Sequence, residues 1–282
     1  MLYEKHYKVL LFLPMILLVL ALAQIGYQIV TTGNIAAESV SLQGGVSVAA
    51  PRGSVDFDLF LSDAKKLYPS LDSTMRTLGT GDVVVEVSEL SERDALSLLE
   101  RQGVKSGVAT IEVTSGALGK SFFTATLGAL GIAFVLMAIV VFIAFRTGIP
   151  SLAVLLAGFS TVVITLAIFN LLGEKLTTAG IAAFLMLIGY SVDTDILLST
   201  RALKRSEGSF DDRIISSVKT GLMMTATTFV ATTAAFLITN SASIRQIMLI
   251  IFIGMLVDIV NTWIQNVGIL RLYNERKHGI KH

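Results

Sequence analysis

Six apolar runs of about 20 residues, each long enough to cross a bilayer as a helix, dominate this 282-residue chain. They cover Val9 to Val30, Phe122 to Phe145, Ser151 to Leu172, Thr177 to Thr200, Val218 to Thr239 and Ile247 to Leu270. Inside a bilayer every backbone N–H and C=O needs an internal partner, and a helix supplies one within each run. Composition agrees, with 53% hydrophobic and only 15% charged residues, where soluble domains carry roughly 25% charged.

The first run follows Lys5, His6 and Lys8 and contains Pro14, Gln24 and Gly26. A signal peptide has a shorter apolar core, about 7–15 residues, and a small-residue cleavage site. The run is therefore expected to be a retained transmembrane helix. Lysine and arginine in the short loops set the orientation. Lys5, Lys8, Arg146, Arg201, Lys204, Arg205, Arg213, Lys219, Arg271, Arg276, Lys277 and Lys281 fall on one side; Lys175 and Arg245 fall on the other. Both termini are expected in the cytoplasm and the long polar insert outside the cell membrane.

That insert reads as a folded domain. Val40 to Val48 alternates like a strand, with Gly44-Gly45 marking a bulge or a close backbone approach. Asp56 to Tyr68 places Phe57, Phe60, Leu61, Ala64 and Leu67 at helical spacing before Pro69. Met75–Leu78 and Val83–Val87 form a hairpin around Gly79-Thr80-Gly81-Asp82. Ser91-Glu92-Arg93-Asp94 resembles a capping box and opens a helix to Gln102, and Val108 to Val113 alternates again. The order β-α-β-β-α-β predicts a ferredoxin-like fold. The expected architecture is membrane α-helical: residues 1–30 as N-terminus and helix 1, residues 31–117 as an external α+β domain, and residues 118–282 as helices 2–6 with a cytoplasmic tail.

Within the fourth run stand Asp193 and Asp195, and within the sixth Asp258. A carboxylate at bilayer depth costs about 2.5–3.5 kcal/mol on insertion scales, and such residues usually face the protein interior and carry function. Asp193 lies near the midplane, with Gly189 one turn earlier as a point of close helix approach. Asp195 is rotated about 200° away, so the two acids cannot share a partner; Asp195 is expected to meet Arg201 or a second helix. Asp258 heads a polar stripe with Asn261, Thr262 and Gln265. Thr225, Thr228 and Thr232 form another, which reads first as helix–helix glue. The site residues expected from this pattern are Asp193 and Asp258 as a proton relay, and Asp195, Arg201 and Lys219 as charge partners. Thr225, Thr228, Asn261 and Gln265 supply polar helix faces.

Other chemistries lack their residues. There is no cysteine, which excludes disulfides and thiol catalysis, and the histidines His6, His278 and His282 lie near the termini. Gly119-Lys120-Ser121 lacks the preceding spaced glycine of a phosphate loop. Ser191-Val192 before Asp193 and Leu256-Val257 before Asp258 do not supply the Gly-x-Gly-Asp context of an intramembrane aspartyl protease. No enzyme activity, cofactor or metal is expected, a net charge of +1 gives no reason to expect nucleic acid, and any energy must come from outside the chain's own chemistry, with an ion gradient the obvious source.

These segments resemble the SecD/SecF protein-export membrane family of the resistance-nodulation-division superfamily. The layout of one helix, an external domain and five helices carries the resemblance over the whole chain. So do Ala179-Gly180-Ile181 through Gly189-Tyr190-Ser191-Val192-Asp193 to Arg201, Val113-Thr114-Ser115-Gly116-Ala117-Leu118-Gly119-Lys120, and Thr225-Ala226-Thr227-Thr228. Departures exist. Ser41-Leu42-Gln43 precede the paired glycines where the family usually carries Asp-Phe. Bacterial members of the smaller type place their acid where this chain has Thr194, whereas Asp193 holds the position of the larger partner's acid. The family's basic residue entering the fifth helix has no match in register, with Lys219 nearby. This divergence fits an archaeal homologue.

The resemblance implies the smaller half of that complex, partnered by SecD and a SecYE-type Sec translocation channel in the lipid bilayer and acting on exported polypeptide. It implies that proton entry at Asp193 repacks the helices and moves the external domain through helices 1 and 2. An exporter of small molecules or lipids from the same superfamily and a scaffold without ion coupling are the competing readings.

Overall fold

The computed structural model describes residues 7–77, 81–104, 107–114, 116–204, 208–239 and 241–278. Among these, six helices are long and apolar enough to cross a membrane. The first is α1, Phe12–Thr32; a helical turn α2, Val40–Gln43, follows it. The polar segment then supplies β1 (Gly45–Pro51), α3 (Phe57–Leu67), β2 (Ser73–Thr77), β3 (Asp82–Ser88), α4 (Glu92–Arg101) and β4 (Thr110–Thr114). Four more spans are α5 (Gly116–Phe145), α6 (Gly148–Leu171), α7 (Thr178–Lys204) and α8 (Phe210–Ile238). The sixth consists of α9 (Ala242–Val260), a π-helical segment (Asn261–Asn266) and α10 (Val267–His278).

Helix α8 starts well before the apolar run at Val218, because its end is capped by polar residues that hydropathy does not register. The Ser209 hydroxyl accepts from Asp212 N–H at 3.2 Å and the Asp212 carboxylate accepts from Ser209 N–H at 3.0 Å, closing a capping box. Helix α6 lies at the centre of the bundle, with 67% of its apolar window buried against 11% for α5. Val154 and Phe169 of α6 pack with Leu187 of α7 and Ile250 of α9. On the other side, α1 lays Leu18 and Ala21 against Ile164 and Ala167.

Glycines set two close contacts. A Cβ at Gly254 would meet Leu187 Cδ1 at 2.4 Å, and one at Gly221 would meet Trp263 Cζ2 at 2.1 Å. Gly189, expected as an approach point, has nothing within 4 Å of where its Cβ would stand. The face it lies on is open because the helices packed on α7, which are α5, α6, α8 and α9, leave it uncovered.

The strands form one antiparallel sheet of order β2-β3-β1-β4. Val46, Val48, Val85 and Val87 line the covered face, where Phe60 and Ala64 of α3 and Ala95, Leu98 and Leu99 of α4 pack. Fully burying a side chain such as Phe60 or Leu98 contributes roughly 1.5–3 kcal/mol. Asp56 caps α3 by accepting from Leu59 N–H at 3.0 Å, and Ser91 caps α4 by accepting from Asp94 N–H at 3.2 Å. The strand expected from Val40 starts only at Gly45. Leu42 of the preceding turn belongs to the core of the bundle rather than that of the sheet, so the period of two breaks at the glycine pair. Gly45 itself is needed for close approach, since a Cβ there would sit 2.1 Å from Val87 O. Leu78, the last residue of the expected strand, and Gly79 and Thr80 of the expected turn lie outside the described residues.

Candidate functional site

Helical spacing sorts the polar residues of α7 onto two faces. Ser191, Thr194, Asp195 and Ser199, at offsets of three, four and eight residues, are fully buried. Met186, Gly189 and Asp193 lie on the other face and are exposed on this chain's surface. The sixth span turns an opposing polar face inward: Asp258 is 2% exposed, and Asn261, Thr262, Gln265 and Asn266 of the π segment are fully buried. Wider π turns of this kind recur at functional sites.

The two faces meet at the acids. Asp258 is surrounded by hydroxyls from three helices. Ser191 donates to Oδ1 through a very short contact, Thr194 donates to Oδ2 at 3.0 Å, Thr161 of α6 reaches Oδ1 at 3.5 Å, and Thr262 reaches it at 3.4 Å. Asn261 steadies this set by donating to Thr161 Oγ1 at 2.9 Å. Asp195 Oδ1 accepts from Thr262 Oγ1 at 3.0 Å and from Asn266 Nδ2 at 2.8 Å. Its Oδ2 is buried with no hydrogen-bond partner among the described residues, as are Asn266 Oδ1, Asn261 Oδ1 and both polar atoms of Gln265.

Counting protons tells what this arrangement can do. The Thr262 hydroxyl touches both carboxyls but carries a single proton. The shorter contact, 3.0 Å against 3.4 Å, directs that proton to Asp195, while Asp258 Oδ1 also accepts from Ser191. The arrangement thus places two buried carboxyls, on different helices, within reach of one shared hydroxyl.

No described lysine or arginine pairs with Asp193, Asp195 or Asp258. Arg201, expected as a charge partner, turns to α8, where it donates to Ser216 O at 3.0 Å and Thr220 Oγ1 at 2.7 Å. Lys219 is exposed on α8. Tyr190 donates to Thr225 Oγ1 at 2.8 Å, a direct tie between α7 and α8, while Thr228 bonds back to Met224 O of its own helix at 3.1 Å. Asp193, expected at the relay, does not face Asp258; Asp195 does. Ser191, Thr194, Thr161 and Asn266 join the site without having been singled out. The first two were visible as residues on Asp195's own face. Thr161 gave no local signal, because only packing brings α6 to the pair.

Six spanning helices around a buried acid pair define a multi-pass membrane protein with a polar centre in an apolar bundle. Residues 96–276 match the model of the C-terminal region of the protein-export membrane proteins SecD/SecF. Two relatives, each called protein-export membrane protein SecF, come from Methanolacinia petrolearia and Pyrococcus furiosus. The first is 38% identical, covering 93% of this chain and 92% of the relative; the second is 34% identical, covering 99% and 95%. The chain belongs to the SecD/SecF family. The solved structure of SecDF from Thermus thermophilus, described as a translocon-associated membrane protein, superposes with a TM-score of 0.69 at 20% identity. The match covers 96% of this chain and 38% of that one, and at such identity it is a likeness of fold.

Proposed function

We propose that this chain serves protein export across a cell membrane as the SecF-type half of a complex with a SecD-type partner, beside a Sec translocation channel. The acid pair Asp195–Asp258 is its ion-responsive element. Relatives named for protein export over nearly their full length support the first part. One observation carries the second: two buried carboxyls on α7 and the sixth span share the single hydroxyl of Thr262. Gaining or losing the shared proton changes the charge between these helices and hence their packing, with the proton gradient as the source of energy. Asp193, at membrane depth beside Gly189 and Met186 on an open face, is assigned to the contact with the partner's helices. An acid in that place needs a polar neighbour from another chain.

The segment 31–117 is read as a ferredoxin-like domain outside the membrane, supported by its βαββαβ order and its sheet order. The excess of lysine and arginine in the opposite loops supports cytoplasmic termini. The test is gradient-dependent export into vesicles carrying this chain and its partner. Asp195→Asn and Asp258→Asn, each present at parental levels, are expected to lose the gradient-dependent part. Parental export in both variants would remove the acid pair from the mechanism.

A further inference from the structure

The outer ends of the two acid-bearing helices and the sheet domain meet at one small junction. Thr177 precedes α7, and its hydroxyl accepts from Gly180 N–H at 3.1 Å. The Gln246 side chain on α9 seals this end. Its Oε1 accepts from Thr177 N–H at 3.0 Å and from the Thr177 hydroxyl, and its Nε2 donates to Lys175 O at 2.7 Å. Space here is tight, since a Cβ at Gly180 would meet Gln246 Oε1 at 2.4 Å. The helices bearing Asp195 and Asp258 are therefore clamped together at the ends facing the sheet domain.

The same short loop holds that domain in two ways, and the end of α6 adds a third contact. Leu176 N–H donates to Ala37 O at 2.6 Å and Ser39 N–H donates to Leu176 O at 2.9 Å, a strand-like bridge to the chain entering the sheet. Lys175 Nζ lies 2.6 Å from both carboxylate oxygens of Asp72 and 3.2 Å from Thr74 Oγ1, at the start of the edge strand β2. Asn170, at the end of α6, donates to Ile35 O at 2.9 Å. Asp72 is in turn fixed to β3, because its carbonyl accepts from Ser88 N–H at 2.9 Å.

We infer that this junction, with Lys175 and Gln246 as its positioning residues, transmits movement of α7 and α9 to the sheet domain. The inference rests on the proposed role of the acid pair. Asp195 stands about 25 Å along α7 from the junction, and a packed helix clamped at its end carries a shift over that distance as a rigid body. This route is separate from the one expected through the first and second membrane helices. A half-exposed ion pair such as Lys175–Asp72 adds little to folding stability, so breaking it tests transmission rather than folding.

The experiment uses the full chain with its SecD-type partner. The chain has no cysteine, so Thr31→Cys at the end of α1 and Asp58→Cys on α3 take spin labels without background when paired with a cysteine-free variant of the partner. Asp258→Asn is expected to shift the label-to-label distance. Lys175→Asp is expected to abolish that shift and to lower export about fivefold or more, and Lys175→Asp with Asp72→Lys to restore both. A shift that survives Lys175→Asp and Gln246→Ala overturns the inference. So does the absence of any shift when Asp258→Asn blocks export. Normal export in Asp258→Asn would instead overturn the role of the acid pair.

Discussion

Asp195 and Asp258, on different membrane helices, are bridged by the Thr262 hydroxyl at 3.0 and 3.4 Å. Their surroundings differ. Asp258 is contacted by four hydroxyls, whereas Asp195 has one oxygen without a partner among the described residues. The two carboxyls of the pair are therefore unequally satisfied by hydrogen bonds.

Neutralising either acid should separate this pair from Asp193. Asp195→Asn and Asp258→Asn are expected to lower gradient-dependent export about tenfold, within the usual range of coupling between sites. Asp193→Asn is expected to weaken co-purification with the partner instead. Export rates set against partner recovery distinguish the two effects.

Thr262→Val removes the bridging hydroxyl at nearly constant shape. A buried carboxyl then loses a partner, at about 1–3 kcal/mol, and Thr262→Ser should recover most of it. The thermal unfolding midpoint in detergent, with valine below serine and serine near the parent, checks this. Equal midpoints for valine and parent would deny the bridge any energetic role.

Two glycines should respond oppositely. Gly221→Ala drives a methyl into Trp263 and is expected to cost about 1–3 kcal/mol through overpacking. Gly189→Ala meets open space and should leave the isolated chain's stability unchanged while weakening its association with a partner. Unfolding and pull-down of the same two variants test both halves.

The sheet domain carries its own pH dependence. Hydrogen bonds from Ser91 first, then Tyr68, hold the Asp94 carboxyl below its ordinary 3.8. The same Tyr68–Asp94 bond, with some burial and the nearby negative charge, holds the tyrosine hydroxyl above 10.0. A lowered carboxyl stabilises the fold above 3.8 and loses that contribution as pH falls through its folded value. A raised tyrosine stabilises below 10.0 and loses its part as pH rises further. Tyr68→Phe should flatten both limbs. The denaturant midpoint of α4, followed by pulsed hydrogen–deuterium exchange at one labelling pH, is the measurement.

Much of the fold was legible in the chain. The capping pattern at Ser91 and the apolar spacing from Phe57 to Leu67 both describe elements that form where expected. The start of β1 was not, because Val40 to Gln43 alternates like a strand but Leu42 is claimed by the core of the bundle. At the site, polar residues at helical offsets from Asp258 were readable one helix at a time, and Asn261 and Thr262 do line the acid pair.

Run length and loop charge determined the number of spans and their expected sense, because a backbone in hydrocarbon must bond to itself and cations stay on one side. Helical periodicity also determined that Asp193 and Asp195 face different ways. Which of them meets Asp258 was decided only by tertiary packing. That choice depends on how far α7 is rotated about its axis, and the rotation is set by Leu187 on Gly254, by Tyr190 on Thr225 and by the arrival of α6 with Thr161. Each of those contacts joins residues far apart in the chain, and none has a local signature.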